Sequence, residues 1–319
     1  MNTSAPLPSV LCLTMNPSVD LATETESVVP THKLRCSETL HDAGGGGVNV
    51  ARVLTRLGGE CTALCPTGGS AGQWLQKRMR EEGISSVFLP IADETRVSFT
   101  VHEHSTGAEF RFVMPGPHLS GGEWQACLDH LQALAPFPDL LVASGSLPPG
   151  VPADFYARLA RLCRARGARM VLDTSGPALE AALAEGVYLF KPNLRELAAL
   201  SGQALDTPEQ WLAAARQLIE RGQTEVVALT LGHLGALLVT RESSWRADPL
   251  DIPASSAVGA GDSFVGGMVA ALQQRQPLRE AFALGVAAGS ATLLSIGTGL
   301  CRLEDVQRLL PQVRIHPVN

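Results

Sequence analysis

One carboxylate set among small residues is the strongest chemical signal in the chain. In Ser255-Ser256-Ala257-Val258-Gly259-Ala260-Gly261-Asp262 the two glycines carry no Cβ, so a ligand can lie against a backbone that turns sharply. Beyond Asp262, residues Phe264, Met268, Ala271 and Leu272 keep a helical apolar spacing. A helix that starts here presents free amides and the positive end of its dipole, which together make an anion site. One acid beside an anion site suits phosphoryl transfer: amides hold the moving phosphate while the acid takes a proton from the attacking hydroxyl. The alternative role for Asp262 is that of a helix cap.

Two further stretches offer groups to such a reaction. Gly44-Gly45-Gly46-Gly47-Val48-Asn49 opens a segment with apolar residues at 50, 53, 54 and 57. Four glycines could be a linker. Running straight into an amphipathic helix, they read better as a backbone wall against a polyol, with Asn49 reaching a hydroxyl. The dinucleotide fingerprint G-x-G-x-x-G is not matched. Lysines occur only at 33, 77 and 191 among 25 basic residues. Lys191 follows an apolar run, and Pro192 holds it extended and can start a helix. Asn193 and Glu196 then share one helix face, a spacing suited to waters around magnesium or to helix capping. No glycine is followed by lysine, and H-R-D and D-F-G are absent, which removes the Walker and protein-kinase patterns.

The elements that must position these groups alternate. Val10 to Thr14 reads as a buried strand, followed by exposed extended pieces at 18–23 and Lys33 to Leu40. A strand, helix and strand follow between 60 and 89, then a hairpin of 97–102 with 109–114. Helices predicted at 124–134, 152–166, 177–184, 193–200 and 208–221 alternate with strands at 140–146, 170–173, 187–190 and 226–230, and a strand pair spans 235–247. That order predicts an α/β fold with a mainly parallel sheet covered on both faces. Polar and glycine residues gather after strand ends, as in Ser144-Gly145-Ser146, Asp173-Thr174 and Lys191-Pro192-Asn193, where ligands bind in such sheets. The β-rich insertions at about 17–41 and 92–115 are outside the alternation and read as a lid. Arg96, where the hairpin begins, could hold a substrate phosphate or be solvated. His102 and His104 share a strand face but lack a third ligand, so surface packing is the better reading.

Composition narrows the class. The chain has 319 residues, 45% of them hydrophobic, enough for one large domain. A net charge of −6 with scattered basic residues does not indicate a nucleic-acid partner. Seven cysteines without zinc-site spacing read as reduced thiols. The N-terminal residues do not form a signal peptide pattern. Ala281 to Cys301 has no charged residue, but its glycines and hydroxyls suit a packed interior helix and loop better than a membrane span. A soluble, cytoplasmic protein is expected.

Asn16-Pro17-Ser18-Val19-Asp20, the four glycines with Val48-Asn49-Val50-Ala51, Lys191-Pro192-Asn193 with Glu196, and Gly259-Ala260-Gly261-Asp262 stand in the order seen in the PfkB/ribokinase family of sugar kinases. The resemblance covers nearly the whole chain and is strongest to the minor-type bacterial 6-phosphofructokinases. It implies a ribokinase-like α/β fold with a small β-sheet lid, a single kinase domain over 1–319, and ATP with Mg2+. Asp262 is then the base that activates the sugar 1-hydroxyl, and the amides of Gly259, Ala260 and Gly261 stabilise the transferring phosphate. Asp20, Gly45, Gly46 and Asn49 are implied at the sugar hydroxyls. Arg96 and Ser146 are implied at the 6-phosphate, with Arg35 nearby and Lys33 reaching across from a partner in a homodimer clasped through the lid. Lys191, Asn193, Thr230, Gly232, Gly235, Ser256 and Val258 are implied on the nucleotide side, as is the helix around Ala288 to Thr292. Glu196 and Asp173 are the metal candidates. Ala257, Ser295 and Gly299 stand where relatives more often have Thr, Asn and Arg, near a loop whose carbonyls could hold potassium. Phosphorylation of fructose 6-phosphate is the implied reaction. Tagatose 6-phosphate or fructose 1-phosphate as substrate, or a non-catalytic sugar-phosphate sensor, are the alternatives.

Overall fold

The computed structural model describes residues 6–253, 256–295 and 297–318, so Ser255 of the glycine motif lies outside the described residues. In chain order the elements are β1 (Val10–Leu13), β2 (Ser18–Thr25), β3 (Leu40–Gly44), α1 (Gly46–Arg56), β4 (Thr62–Thr67), α2 (Gly69–Glu81), β5 (Ser85–Pro90), β6 (Arg96–Glu103), β7 (Glu109–Phe112) and α3 (Gly121–Ala133). The chain continues through β8 (Leu140–Ser144), α4 (Phe155–Arg166), β9 (Arg169–Asp173), α5 (Pro177–Glu185), β10 (Val187–Phe190), α6 (Leu194–Ser201), α7 (Pro208–Glu220) and β11 (Thr224–Thr230). It closes with β12 (Ala236–Val239), β13 (Ser244–Ala247), α8 (Ala260–Gln273), α9 (Leu278–Thr292), α10 (Leu303–Leu309) and β14 (Ile315–Pro317).

Ten strands form one sheet in the order β14-β13-β12-β11-β10-β9-β8-β1-β4-β5. From β11 to β5 every pairing is parallel; β12, β13 and β14 add an antiparallel edge. The sheet is buried on both faces, and the pleat sorts its residues. Leu11, Leu13, Leu141 and Ala143 enter one core with helices α3 to α7, while Val10, Cys12, Leu140 and Val142 enter the other with α1, α2, α8 and α9. Order reverses at β1, which has β4 on one side and β8 on the other. Beyond the carboxyl ends of those two strands lies the crevice where open α/β sheets bind ligands.

Helices α8 and α9 pack closely because glycines face the contact. A Cβ on Gly267 would lie 2.6 Å from the Leu284 carbonyl, and one on Gly285 would lie 2.9 Å from that of Phe264. This accounts for the uncharged, glycine-containing 281–292 segment as an interior helix. None of the described helices is long and apolar enough to cross a membrane.

The second sheet has the order β3-β2-β6-β7. Its third segment differs from the expected one. Residues 33–39 are exposed and form no strand, whereas β3 runs over Leu40–Gly44 and takes in the first glycine of the four. Register decides this: Asp42 pairs with Asp20 and Gly44 with Ser18, which puts Ala43 into the core. The short α10 and β14 were not anticipated from the sequence. His102 and His104 meet edge to face, and His104 lies 3.2 Å from Glu24 on the lid surface, consistent with packing.

Candidate active site

The site forms around the first turn of α8. Gly259 is its N-cap, at φ 75°, a left-handed conformation that suits glycine. The first amides of the helix have no intrahelical acceptor and face outward. Two cavities meet at this turn. One, of about 270 Å³, is lined by Gly259 and Asp262; the other, of about 740 Å³, is lined by Ala260 and Gly261.

The smaller cavity lies at the switch between β1 and β8, roofed by the second sheet. Gly45 caps α1 at φ 102°, and Gly46 abuts β8: a Cβ there would lie 2.8 Å from the Gly145 amide nitrogen. The glycine run is therefore a wall, and it carries Asn49 on α1 into the cavity. Asn49 Nδ2 donates to Asp262 Oδ2 at 2.8 Å. From the sheet above, Asp20 packs its carboxylate against Gly44 and accepts from Ser18 Oγ at 2.6 Å. Register places Ser18 beside Arg96 and Asp20 beside Ser98, and Thr100 beside Arg111; all six line the cavity. The inner lid face is polar by simple alternation.

Charge in the site is finely opposed. Burial, then the nearby Asp173 carboxylate, pushes Asp262 up to about 7, against the Asn49 hydrogen bond and Lys191. Burial also raises Asp20, opposed by Ser18 and by Arg96 and Arg111. Lys191, at the end of β10, is buried with Nζ 3.2 Å from Asp173 Oδ1. Burial alone would lower its pKa, but Asp173, Glu196 and Asp262 carry it above its ordinary value. Its ammonium sits beneath α8, 3.2 Å from where a Cβ on Gly261 would be. Glycine there lets a fixed positive charge approach the helix N-terminus.

The larger cavity is apolar on its α8–α9 side, through Phe264, Val286 and Leu293, and polar at Asn193, Thr230 and Ser290. Gly232 and Gly235 line it as expected. Asn193 and Glu196 form a reciprocal cap on α6, with bonds of 2.9 and 2.8 Å, and straddle the two cavities: Asn193 lines the larger and Glu196 the smaller. The capping alternative thus holds, and both residues still face ligand space.

Residues 13–305 match the pfkB family carbohydrate kinase. The chain belongs to the pfkB family. An ATP-dependent 6-phosphofructokinase isozyme 2 from Mycobacterium tuberculosis is 46% identical over 301 residues, covering 94% of this chain and 88% of that protein. A 1-phosphofructokinase from Bacillus subtilis is 36% identical over 96% of this chain and 99% of its own length. Phosphofructokinase-2 from Escherichia coli, solved with potassium, superposes with a TM-score of 0.90 at 38% identity, covering 96% of this chain and 99% of that one. This pfkB kinase accordingly has the ribokinase-like α/β architecture with a small second sheet.

Most of the expected residues converge. Asp20, Gly45, Gly46, Asn49, Arg96, Ser146, Asp173, Glu196, Gly259 and Asp262 line the smaller cavity. Val258, expected beside the nucleotide, lines the smaller cavity and not the larger one. Ser256 is buried and lines neither; its Oγ accepts from the Val258 amide at 3.2 Å and shapes the approach to α8. Lys33 and Arg35 lie on the exposed 33–39 stretch, away from both cavities. Arg96 spends its two terminal nitrogens on the carbonyls of Met114 and Asn16, at 2.8 and 2.9 Å. Arg111, Ser98 and Thr298 also line the cavity and were missed as site residues. For Arg111 and Ser98 a signal existed in the alternation of polar residues along 96–100 and the hairpin partner at 111. Thr298 had none, because a loop position has no period.

Proposed function

We propose that the protein is an ATP-dependent 6-phosphofructokinase that phosphorylates the 1-hydroxyl of fructose 6-phosphate, with Asp262 as general base. The observation that carries this is the placement of α8's first turn between a polyol-sized polar cavity and a larger, partly apolar one. ATP lies in the larger cavity with its γ-phosphate over the amides of Gly259, Ala260 and Gly261. The sugar lies against the Gly45–Gly46 wall, its hydroxyls held by Asp20 and Asn49, and its 1-hydroxyl at Asp262. Asp262 accepts the hydroxyl proton as the oxygen attacks the γ-phosphorus; the bond to the β,γ-bridging oxygen breaks and ADP leaves. Amides and Lys191 neutralise charge on the equatorial oxygens as it develops.

The carboxylates of Asp173 and Glu196 fit a magnesium site. Burial, and further the Asp173 charge, raise Glu196, a strain that a cation relieves. Among the described residues no cluster of three or more His, Cys, Asp or Glu is set to hold a metal, so these two would meet the ion through water or ATP phosphates. When bound, magnesium supplies charge neutralisation on the β- and γ-phosphates. Potassium is proposed for carbonyls in the segment after α9, which abuts α8's first turn: a Cβ on Gly259 would lie 2.6 Å from Leu300 Cδ2.

The 6-phosphate falls to the lid cations. With the terminal nitrogens of Arg96 committed to carbonyls, Arg111 is the guanidinium in the cavity with no hydrogen bond or ion pair among the described residues. Arg111 and Ser146 are proposed to take the phosphate, with Arg96 holding the pocket's shape and Lys33 arriving from a second copy in a lid-to-lid homodimer. The B. subtilis relative supports fructose 1-phosphate as a second reading. A coupled ADP assay with fructose 6-phosphate, fructose 1-phosphate and tagatose 6-phosphate separates them: at least tenfold higher kcat/KM for fructose 6-phosphate is expected. A preference for either other sugar overturns the substrate, and no turnover on any returns the sensor reading.

A further inference from the structure

A third cavity, of about 740 Å³, opens on the opposite side of the segment that joins α9 to α10. It is lined by Arg56, Arg78 and Arg302, by Asp42 of β3, and by Ser295 and the Gly299–Cys301 backbone. It shares no lining residue with either catalytic cavity. We infer that this cleft is a second ligand site that takes a small molecule bearing a phosphate group.

The argument is one of charge. Arg52, fully buried at its back, saturates the local carboxylates. It bonds Glu82 at 2.8 and 3.0 Å, Asp42 at 2.8 Å and the Ala43 carbonyl at 2.7 Å. Arg78 reaches the same Glu82 at 3.1 Å. Arg56 is left with Glu82 at 3.8 Å and the Cys301 carbonyl at 3.3 Å. Arg52, Arg56 and Arg78 share Asp42 and Glu82, and Arg78 also has Glu81 at 3.8 Å, so these three are matched and the excess positive charge comes from a fourth arginine. Arg302 adds another cation, with no ion pair among the described residues. Asp305, the other acid in the lining, is engaged by Arg308 at 2.6 Å. Arg56 itself has a pKa lowered by burial and then by the Arg52 charge, against the nearby Glu82 and Asp42 carboxylates. A phosphate dianion meets this need with bidentate guanidinium contacts, and the volume accommodates a phosphorylated metabolite.

A side-chain hydrogen bond links the cleft to the catalytic cavity. Asp42, in the cleft's lining, accepts from Thr298 Oγ1 at 2.8 Å, and Thr298 lines the sugar cavity. An anion that draws on Arg56 and Arg78 alters the partners of Glu82 and, through Arg52, those of Asp42.

The test reads binding rather than turnover. The enzyme is held at constant KCl with saturating fructose 6-phosphate and a non-hydrolysable ATP analogue, and inorganic phosphate is titrated while Tm is followed. A saturable rise above a chloride control of equal ionic strength is expected. Arg302→Gln, an exposed change outside the catalytic machinery, should weaken the midpoint about tenfold while basal kcat/KM stays within twofold of wild type. Arg56→Gln should weaken it at least as much. No saturable rise, or midpoints unchanged in both variants, overturns the inference. Should fructose 6-phosphate fail to occupy the sugar cavity, phosphate titrates two populations and Arg302→Gln removes only one, so a wrong substrate shows separately.

Discussion

At the residue scale the decisive feature is a carboxylate whose environment works against its own charge. Asp262 has an ordinary pKa of 3.8 and stands at about 7 in the fold, chiefly through burial. A pKa raised on folding means stability that is complete below 3.8 and is lost as pH climbs through 7. The ionised site therefore costs the fold, by roughly 4 kcal/mol as a ceiling. Asp262→Asn removes that cost. Its Tm should exceed wild type by about 3–8 °C at pH 8, with the gap closing toward pH 4, while kcat falls by ~10²–10⁴-fold. Equal melting at pH 8 would show that burial does not set this pKa. In wild type, kcat/KM for the sugar should rise with pH to a plateau, with its midpoint near 7. The two lid arginines separate by a different signature. Arg111→Gln should raise KM for fructose 6-phosphate by roughly 10–100-fold, as expected for losing a charged hydrogen bond, with Tm and the KM for ATP unchanged. Arg96→Gln should also lower Tm, because two backbone carbonyls lose their donor. The reverse pattern would return the phosphate to Arg96.

At the scale of elements, the parallel sheet was legible because buried strands are local apolar runs with polar residues at their carboxyl ends. The α8 turn was legible for a similar reason: its glycines, its acid and the apolar period behind them fall within one short stretch. The lid strand β3 was not. Residues 33–39 alternate as a strand should, but all are exposed, and their backbone meets β2 at Ser37 N, which donates to the Glu24 carbonyl at 2.9 Å, without forming a ladder. The true strand ends in a glycine, which local propensity disfavours, and pairing with β2 overrides propensity. Val258 was placed by the turn before α8, which a linear reading does not resolve, whereas Arg111 follows from the polar alternation along 96–100 once the hairpin register is known. The spacing of α8 over Lys191 is the element-level device that matters most. Gly261→Ala improves helix propensity but sets a methyl 3.2 Å from the ammonium. Tm should hold or rise slightly while kcat drops about tenfold or more, since small displacements at a reacting centre are costly. A variant with wild-type kcat would show that this approach is not needed.

At the scale of the whole molecule, the lid sheet has two faces with different requirements. Its inner face carries Ser18, Asp20, Ser98 and Arg111 over the sugar cavity. Its outer face exposes Val97 and a stack of Phe99 on Phe112, with centroids 4.6 Å apart and exposures of 38% and 43% for the two rings. A small sheet with an apolar outer face needs a cover, and the best fit is the same face of a second copy, because a two-fold contact matches a patch to itself. The exposed stretch with Lys33 and Arg35 would then lie beside the partner's sugar cavity, which explains cations so far from their own. Phe99 and Phe112 also border the sugar cavity, so Val97→Asp, at an exposed outer position that lines neither catalytic cavity, is the change that places a charge in that contact. Sedimentation at micromolar concentration should give a dimer for wild type and a monomer for the variant. The monomer should keep its KM for ATP, whose cavity is lined by α8, α9 and the β11–β12 turn rather than by the lid. Its KM for fructose 6-phosphate should rise tenfold or more, matching Lys33→Gln in the dimer. A wild-type chain that sediments as a monomer at full activity would sink the clasp and leave the outer aromatics without a role in the reaction.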